Sequence, residues 1–224
     1  MNKEPIYHSN IFWHFCGRDK TEEEAFRILC NILKDKNLRR NLTQNSDPFE
    51  EPITDFNGND TLTWQIQYIC FADIPFAFLN NHIATYGNVG LGFKREFIIE
   101  KGGQPVLYVP FVDENGVQKA YPSSISSIIE RWGKEWAKIT QKYQLNSPED
   151  RDLGWKIQFL RKYIKQFSFK DDYCTYYERE WRIINHLEFE EKDVTVVIFP
   201  KRFSKEFSNL YPNISYTVSE LILT

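Results

Sequence analysis

No stretch of this chain approaches the roughly 18 apolar residues that a membrane-crossing helix needs. Its first ten residues, MNKEPIYHSN, hold no apolar run of the kind a secretory signal carries, so neither a membrane span nor an export signal is expected. An excess of positive charge is missing as well. The 28 Lys and Arg stand against 31 Asp and Glu, leaving a net charge of −3. Bulk electrostatics therefore supplies no attraction to nucleic acid or to an anionic membrane, and nucleic acid remains open as a target only through a local basic groove. Cysteine is sparse: Cys16, Cys30, Cys70 and Cys174 form no C-x-x-C pair, which argues for thiols in a reducing cytoplasm rather than disulfides. Four histidines with no close Cys/His cluster argue against a structural zinc site, and no metal is expected. G-x-S-x-G, Walker A, G-x-G-x-x-G and H-E-x-x-H are all absent, so serine-hydrolase, P-loop and Rossmann readings lack support. There is no internal repeat and no low-complexity tract.

What the chain does contain is apolar and aromatic weight. Hydrophobic residues make up 42% and aromatics 16% of 224 residues, enough to fill a core of one domain over 1–224 with a helical insertion at about 121–170. The stretch Gln67–Lys94 (QYICFADIPFAFLNNHIATYGNVGLGFK) is the organising segment. Tyr68 to Phe71 suits a buried strand. Asp73 and Pro75 read as a helix entry, with Asp73 as cap, and Gly87 ends that helix after Tyr86. Val89 to Phe93 reads as the next strand. Upstream, IFWHF at 11–15 is a strand, and Thr21 with Glu24 forms a capping box for a helix whose Ala25, Ile28, Leu29, Ile32 and Leu33 recur at helical spacing. Residues 41–61 are polar and turn-rich, a long surface loop.

Downstream, a short helix is expected over 94–100 and a strand over 105–109. Helices over about 124–143 and 154–167 carry apolar residues at alternating spacings of four and three, and are expected to pack together as a hairpin. Strands follow at 179–185 and 194–199, then a helix over 200–210 and short strands near 214–216 and 221–223. The class is α+β: a central mixed sheet flanked by helices, with the helical hairpin inserted.

Three patches carry chemical groups. The first strand holds His14. The organising segment holds Tyr68, Asp73, His82 and Tyr86, and His82 and Tyr86 share a helix face because they are four residues apart. The late segment Y-E-R-E-W-R holds Glu178, Glu180 and Arg182. Strand alternation puts these three on one face and Trp181 and Ile183 on the other. A solvated outer face accounts for them simply, but the aromatic and β-branched flanks suit a central strand whose charges line a cleft. Arg182 on that face is placed to pair with a carboxylate and hold it ionised.

The order F-W-H-F, a capped helix with I-L, C-F-A-D-I-P, H-I-A-T-Y-G-N-V-G-L-G-F, P-V-L-Y-V and E-R-E-W-R-I resembles the AbiGi family of abortive phage-resistance proteins, through pieces at about 11–35, 67–110 and 176–186. The resemblance implies a cytoplasmic phage-defence protein with a cognate protein partner in a toxin–antitoxin pair. A histidine on the first strand, an I-L helix, a central tyrosine and a glutamate opening a late strand are also similar to the His-Tyr-Glu type of ADP-ribosyltransferase. That resemblance implies an ADP-ribosyltransferase-like fold and NAD as substrate. His14 would hold a ribose hydroxyl, Tyr86 or Tyr68 would stack on nicotinamide, and Glu180 would act as the catalytic carboxylate of an E-x-E element that begins at Glu178. His82 and Arg182 join His14 and Tyr68 as implied NAD contacts. Two functional classes follow: an NAD-dependent transferase effector, and a non-catalytic antitoxin that binds a partner protein.

Overall fold

A computed structural model describes residues 9–39, 67–110, 112–113, 118–119, 131, 135, 159–160, 162–167 and 175–223. The chain divides into two compact units, one built from 1–39, 68–105 and 177–224, the other from 40–67 and 106–176.

The first unit is a seven-stranded mixed sheet with helices on it. In chain order its elements are β1 (Ile11–Phe15), α1 (Glu22–Asp35), β2 (Asn37–Leu38), β3 (Tyr68–Ala72), a 3-10 turn at Phe76–Phe78, α2 (Leu79–Tyr86), β4 (Gly90–Lys94), α3 (Arg95–Glu100) and β5 (Gln104–Pro105). The second unit contributes β6 (Leu107–Pro110), β7 (Val112–Asp113), β8 (Gln118–Lys119) and β9 (Ile164–Phe167). The first unit resumes with β10 (Glu180–Ile184), β11 (Leu187–Glu188), β12 (Val194–Phe199), α4 (Ser204–Leu210) and β13 (Tyr216–Val218). Across the sheet the order is β13-β12-β4-β1-β3-β10-β5. The β12–β13 pair is parallel and the other neighbours are antiparallel.

Alternation along the strands sends two different sets of side chains to the two faces. One face presents Phe12, Ile69, Phe71, Leu91, Phe93, Ile183, Val197 and Phe199, and α1 covers it with Ala25, Phe26, Leu29 and Leu33. The α1 helix forms where expected. Thr21 accepts from the Glu24 backbone N–H while the Glu24 carboxylate accepts from the Thr21 N–H, a complete capping box. The other face presents Trp13, Ala72 and Ile198, over which α2 lays Leu79 and Ile83.

The mixed α+β class, β1, β3, β4, β12 and the helices α1 to α3 match the sequence reading closely. Several details differ. Asp73 does not cap α2: the chain first makes the 3-10 turn after Pro75, and Asp73 is used elsewhere. The expected strand at 105–109 is two strands, β5 in the sheet of the first unit and β6 in the second. The end of the helix expected at 154–167 is instead β9, whose Ile164–Phe167 pairs in parallel with Leu107–Pro110. In this second unit Tyr176 packs on both Tyr108 and Phe167, so apolar residues spaced for a helix serve a small aromatic sheet. The expected strand at 221–223 is preceded by a 3-10 turn, Ser219–Leu221, and the last strand is β13. Arg131 and Glu135 are helical, while the rest of the 124–143 helix, the start of the 154–167 helix and the 41–61 loop lie outside the described residues. Cys16, Cys30 and Cys70 are thiols, and Cys174 lies outside the described residues. Burial first of all pushes Cys16 up to about 12 and Cys30 up to about 11, so neither is a thiolate at neutral pH.

The turn after α2 crosses the turn after β1 at close range. Gly87 has φ +86°, and a Cβ there would stand 2.6 Å from the Gly17 carbonyl carbon. Gly102 has the same φ with nothing within 4 Å. Gly87→Ala therefore meets both backbone strain and a clash with main chain, and is expected to cost on the order of 3 kcal/mol, against about 1 kcal/mol for Gly102→Ala. Urea unfolding of the two variants checks this, and equal losses would contradict the close crossing.

Candidate functional site

Two clusters of polar side chains lie in the first unit, and both are built by the ends of central strands. The first centres on Asp73, the residue after β3, whose exposure is 3%. Its Oδ1 accepts from the Ser9 backbone N–H at 2.9 Å and from Arg95 Nη2 at 2.8 Å, and its Oδ2 accepts from Arg179 Nη2 at 2.9 Å. Arg95 also donates through Nε to the Ser9 carbonyl at 2.8 Å, and its guanidinium lies over the Phe12 ring at 4.7 Å. Arg179 sits at φ +46°, a left-handed conformation that an arginine adopts at some cost. The Asp73 N–H donating to the Arg179 carbonyl, together with the charge contact, holds it there. A buried carboxylate with three charge-assisted or backbone donors is a satisfied ion, not an exposed catalytic base.

The second cluster gathers the residues singled out from the sequence. Glu180 opens β10 opposite Ala72, and Arg182 lies two residues on, opposite Cys70. Both are buried, at 5% and 7% exposure, so the solvated outer face is not what β10 presents. Arg182 Nε donates to Glu180 Oε1 at 2.6 Å, and its guanidinium stands 4.3 Å from the centre of the Tyr68 ring. Burial alone would lower the Arg182 pKa, but the charge and hydrogen bond of Glu180 outweigh it and the net shift is upward. The pair is thus ionised and mutually neutralised.

Glu178 reaches the cluster by a different route from the one expected. It is not on the strand: it ends the 3-10 turn Thr175–Glu178, and the left-handed Arg179 separates it from β10. Its carboxylate accepts the hydroxyl of Tyr86. Burial, and then the charge and hydrogen bond of Glu178, push the Tyr86 phenol well up, with Glu180 adding to the shift, so this hydroxyl stays protonated and donates. His82 stacks on Tyr86 at 4.4 Å and lies 5.1 Å from Phe15, while Arg18 stands 5.4 Å over the Tyr86 ring. Tyr68, Glu180 and Arg182 are thus in mutual contact, and so are Tyr86, His82 and Glu178.

His14 is placed differently. Along β1 it shares the parity of Phe12, whereas Glu180 shares that of Ala72, the partner of Trp13. Strand alternation therefore does not aim His14 across a cleft at Glu180. Its Nδ1 is 2.9 Å from the Cys70 carbonyl, which can only accept, so Nδ1 carries the proton. Burial lowers the His14 pKa more than this bond raises it, which leaves the ring neutral at pH 7. The sequence did not signal the roles of Arg95 and Ser9. Neither lies in a motif, and both meet Asp73 only through the register of β1, β3 and β4. Among the described residues no group of three or more His, Cys, Asp or Glu is arranged to hold a metal, and no helix is long and apolar enough to cross a membrane.

Fold and clusters together define an α+β protein with a mixed sheet, whose central strands carry a buried charge node and a separate carboxylate–arginine–tyrosine cluster. Residues 48–217, about three quarters of the chain, match the family described as "putative abortive phage resistance protein AbiGi, antitoxin", and the chain belongs to that family. The match takes in β3 to β12 with both clusters' β3 and β10 residues, but not β1 or α1. No curated protein and no solved structure matches.

Removing one member of the buried pair strands the other. Arg182→Met is expected to destabilise the protein by about 3–5 kcal/mol, because Glu180 is left charged and uncompensated. The double variant Glu180→Gln with Arg182→Met should recover much of that loss. Chemical denaturation of the three proteins checks it, and an Arg182→Met protein within about 1 kcal/mol of wild type would contradict the pairing.

Proposed function

We propose that this chain acts in phage defence by abortive infection as an antitoxin, holding a toxin protein in check through direct contact. The observation that carries the reading is membership of the AbiGi family over residues 48–217. The chemistry is compatible with it: the two polar clusters are largely self-satisfied, as they are in a protein whose work is binding.

A second reading is that the chain is an NAD-dependent ADP-ribosyltransferase, acting from the cytoplasm. The observation that favours it is the gathering of Tyr68, Glu180 and Arg182, with Tyr86, His82 and Glu178 beside them, because aromatic rings and an ionised carboxylate suit a flat cationic leaving group and the positive charge that develops when it departs. In this reading Glu180 is the catalytic carboxylate and Tyr86 or Tyr68 stacks on the ring. The parity of His14 counts against its acting with Glu180 on one substrate.

One experiment separates the two. The chain is depleted in its natural host, and in parallel the purified protein and its Glu180→Gln variant are incubated with labelled NAD and cell lysate. The antitoxin reading expects growth to stop on depletion, suppressors to fall in the toxin, and no label to transfer. Label transfer that falls on the order of 100-fold in Glu180→Gln would replace it with the second reading. Unimpaired growth after depletion would overturn the antitoxin reading.

A further inference from the structure

The sheet of the first unit is well joined at every position but one. β1 shares five register pairs with β4, and β3 shares five with β10, yet β1 and β3 share a single pair, Trp13 with Ala72. Antiparallel register would next set Phe15 opposite Cys70. The ladder does not extend there. The Cys70 carbonyl accepts instead from His14 Nδ1, a side chain filling in for a strand partner. The N–H and C=O of one strand residue point to the same neighbour, so the Cys70 amide also faces β1. Cys70 is exposed although its strand lies third from one end of seven. A seam therefore runs between a four-stranded half, β13-β12-β4-β1, and a three-stranded half, β3-β10-β5.

The two ends of the seam are fastened in different ways. Beyond the Trp13–Ala72 pair, Asp73 of the smaller half grips Ser9 and Arg95 of the larger half, and it grips Arg179 of its own half as well. The Trp13 indole N–H donates to the Ile74 carbonyl at 3.1 Å at the same end. These contacts are buried or partly buried, and three of them involve charge, which makes them the strong kind. At the Phe15–Cys70 end the ties are side chains only: His14 to the Cys70 carbonyl, and Tyr86, on a helix whose His82 packs against Phe15, to Glu178 before β10. His14 is neutral, and its bond carries no charge assistance.

We propose that the sheet is two half-sheets that hinge at the Asp73 end, with the His14 and Tyr86 ties as a releasable fastening at the other end. Opening parts Phe15 from Cys70 and bares the face that carries Tyr68, Glu180 and Arg182. The device is a property of the strand register and does not depend on whether the protein binds a toxin or cleaves NAD.

Amide hydrogen exchange on the full chain tests it, with the double variant His14→Ala, Tyr86→Phe beside wild type and Asp73→Asn. Wild type should show measurable protection at 14–16 and 68–70. The double variant should lose it at least tenfold there, while the amides of β4 and β12 exchange as in wild type. Asp73→Asn should instead accelerate exchange across the whole sheet. The hinge is overturned by a wild type already unprotected at 68–70, by a double variant with exchange unchanged there, or by one in which every strand accelerates equally.

Discussion

The carboxylate of Asp73 is the point on which the sheet depends. Three separate segments converge there: Ser9 ahead of β1, Arg95 at the start of α3, and Arg179 ahead of β10. None is near Asp73 in sequence, so this one side chain records the long-range register of four strands. A buried carboxylate is stable only where donors replace the water it has lost, and here they do. The same node fixes the left-handed Arg179, which turns the chain so that Glu178 faces Tyr86 while Glu180 enters the strand opposite Ala72.

The charge pair on β10 follows from that placement. With Arg179 held, Glu180 and Arg182 fall on the face whose other members are Ala72 and Trp13, and they are buried together with Tyr68 against the guanidinium. Burial of such a pair adds little net stability over an apolar pair of the same size, yet it makes loss of either partner expensive. A protein keeps an arrangement like this for what it recognises or for the register it imposes, and family membership in phage defence is consistent with both.

Much of the scaffold was legible because local signals agreed with one another. The Thr21–Glu24 capping box, the apolar runs at 11–15 and 194–199, and Gly87 after Tyr86 each specify an element without help from the rest of the chain. The site was legible only in part. Alternation placed Glu180 and Arg182 on one face correctly, and the spacing of four brought His82 onto Tyr86. Glu178 was misassigned to the strand because nothing in Y-E-R-E-W-R marks Arg179 as left-handed; only its contacts with Asp73 require it. Asp73 read as a helix cap because D-x-P resembles one, and its true partners are 64, 22 and 106 residues away. The apolar spacing that suggested a helix through Phe167 also fits a short strand, and periodicity alone cannot arbitrate at that length.

The central claim is that Asp73 couples the two halves of the sheet, and a double-mutant cycle between Asp73 and Arg95 tests it most directly. Unfolding free energies would be measured for wild type, Asp73→Asn, Arg95→Met and the double variant. The account predicts a coupling of about 2 kcal/mol or more, because either single change strands a buried charge and the double change does not. Losses that add to within about 0.5 kcal/mol would mean that the two residues act independently, and would contradict it.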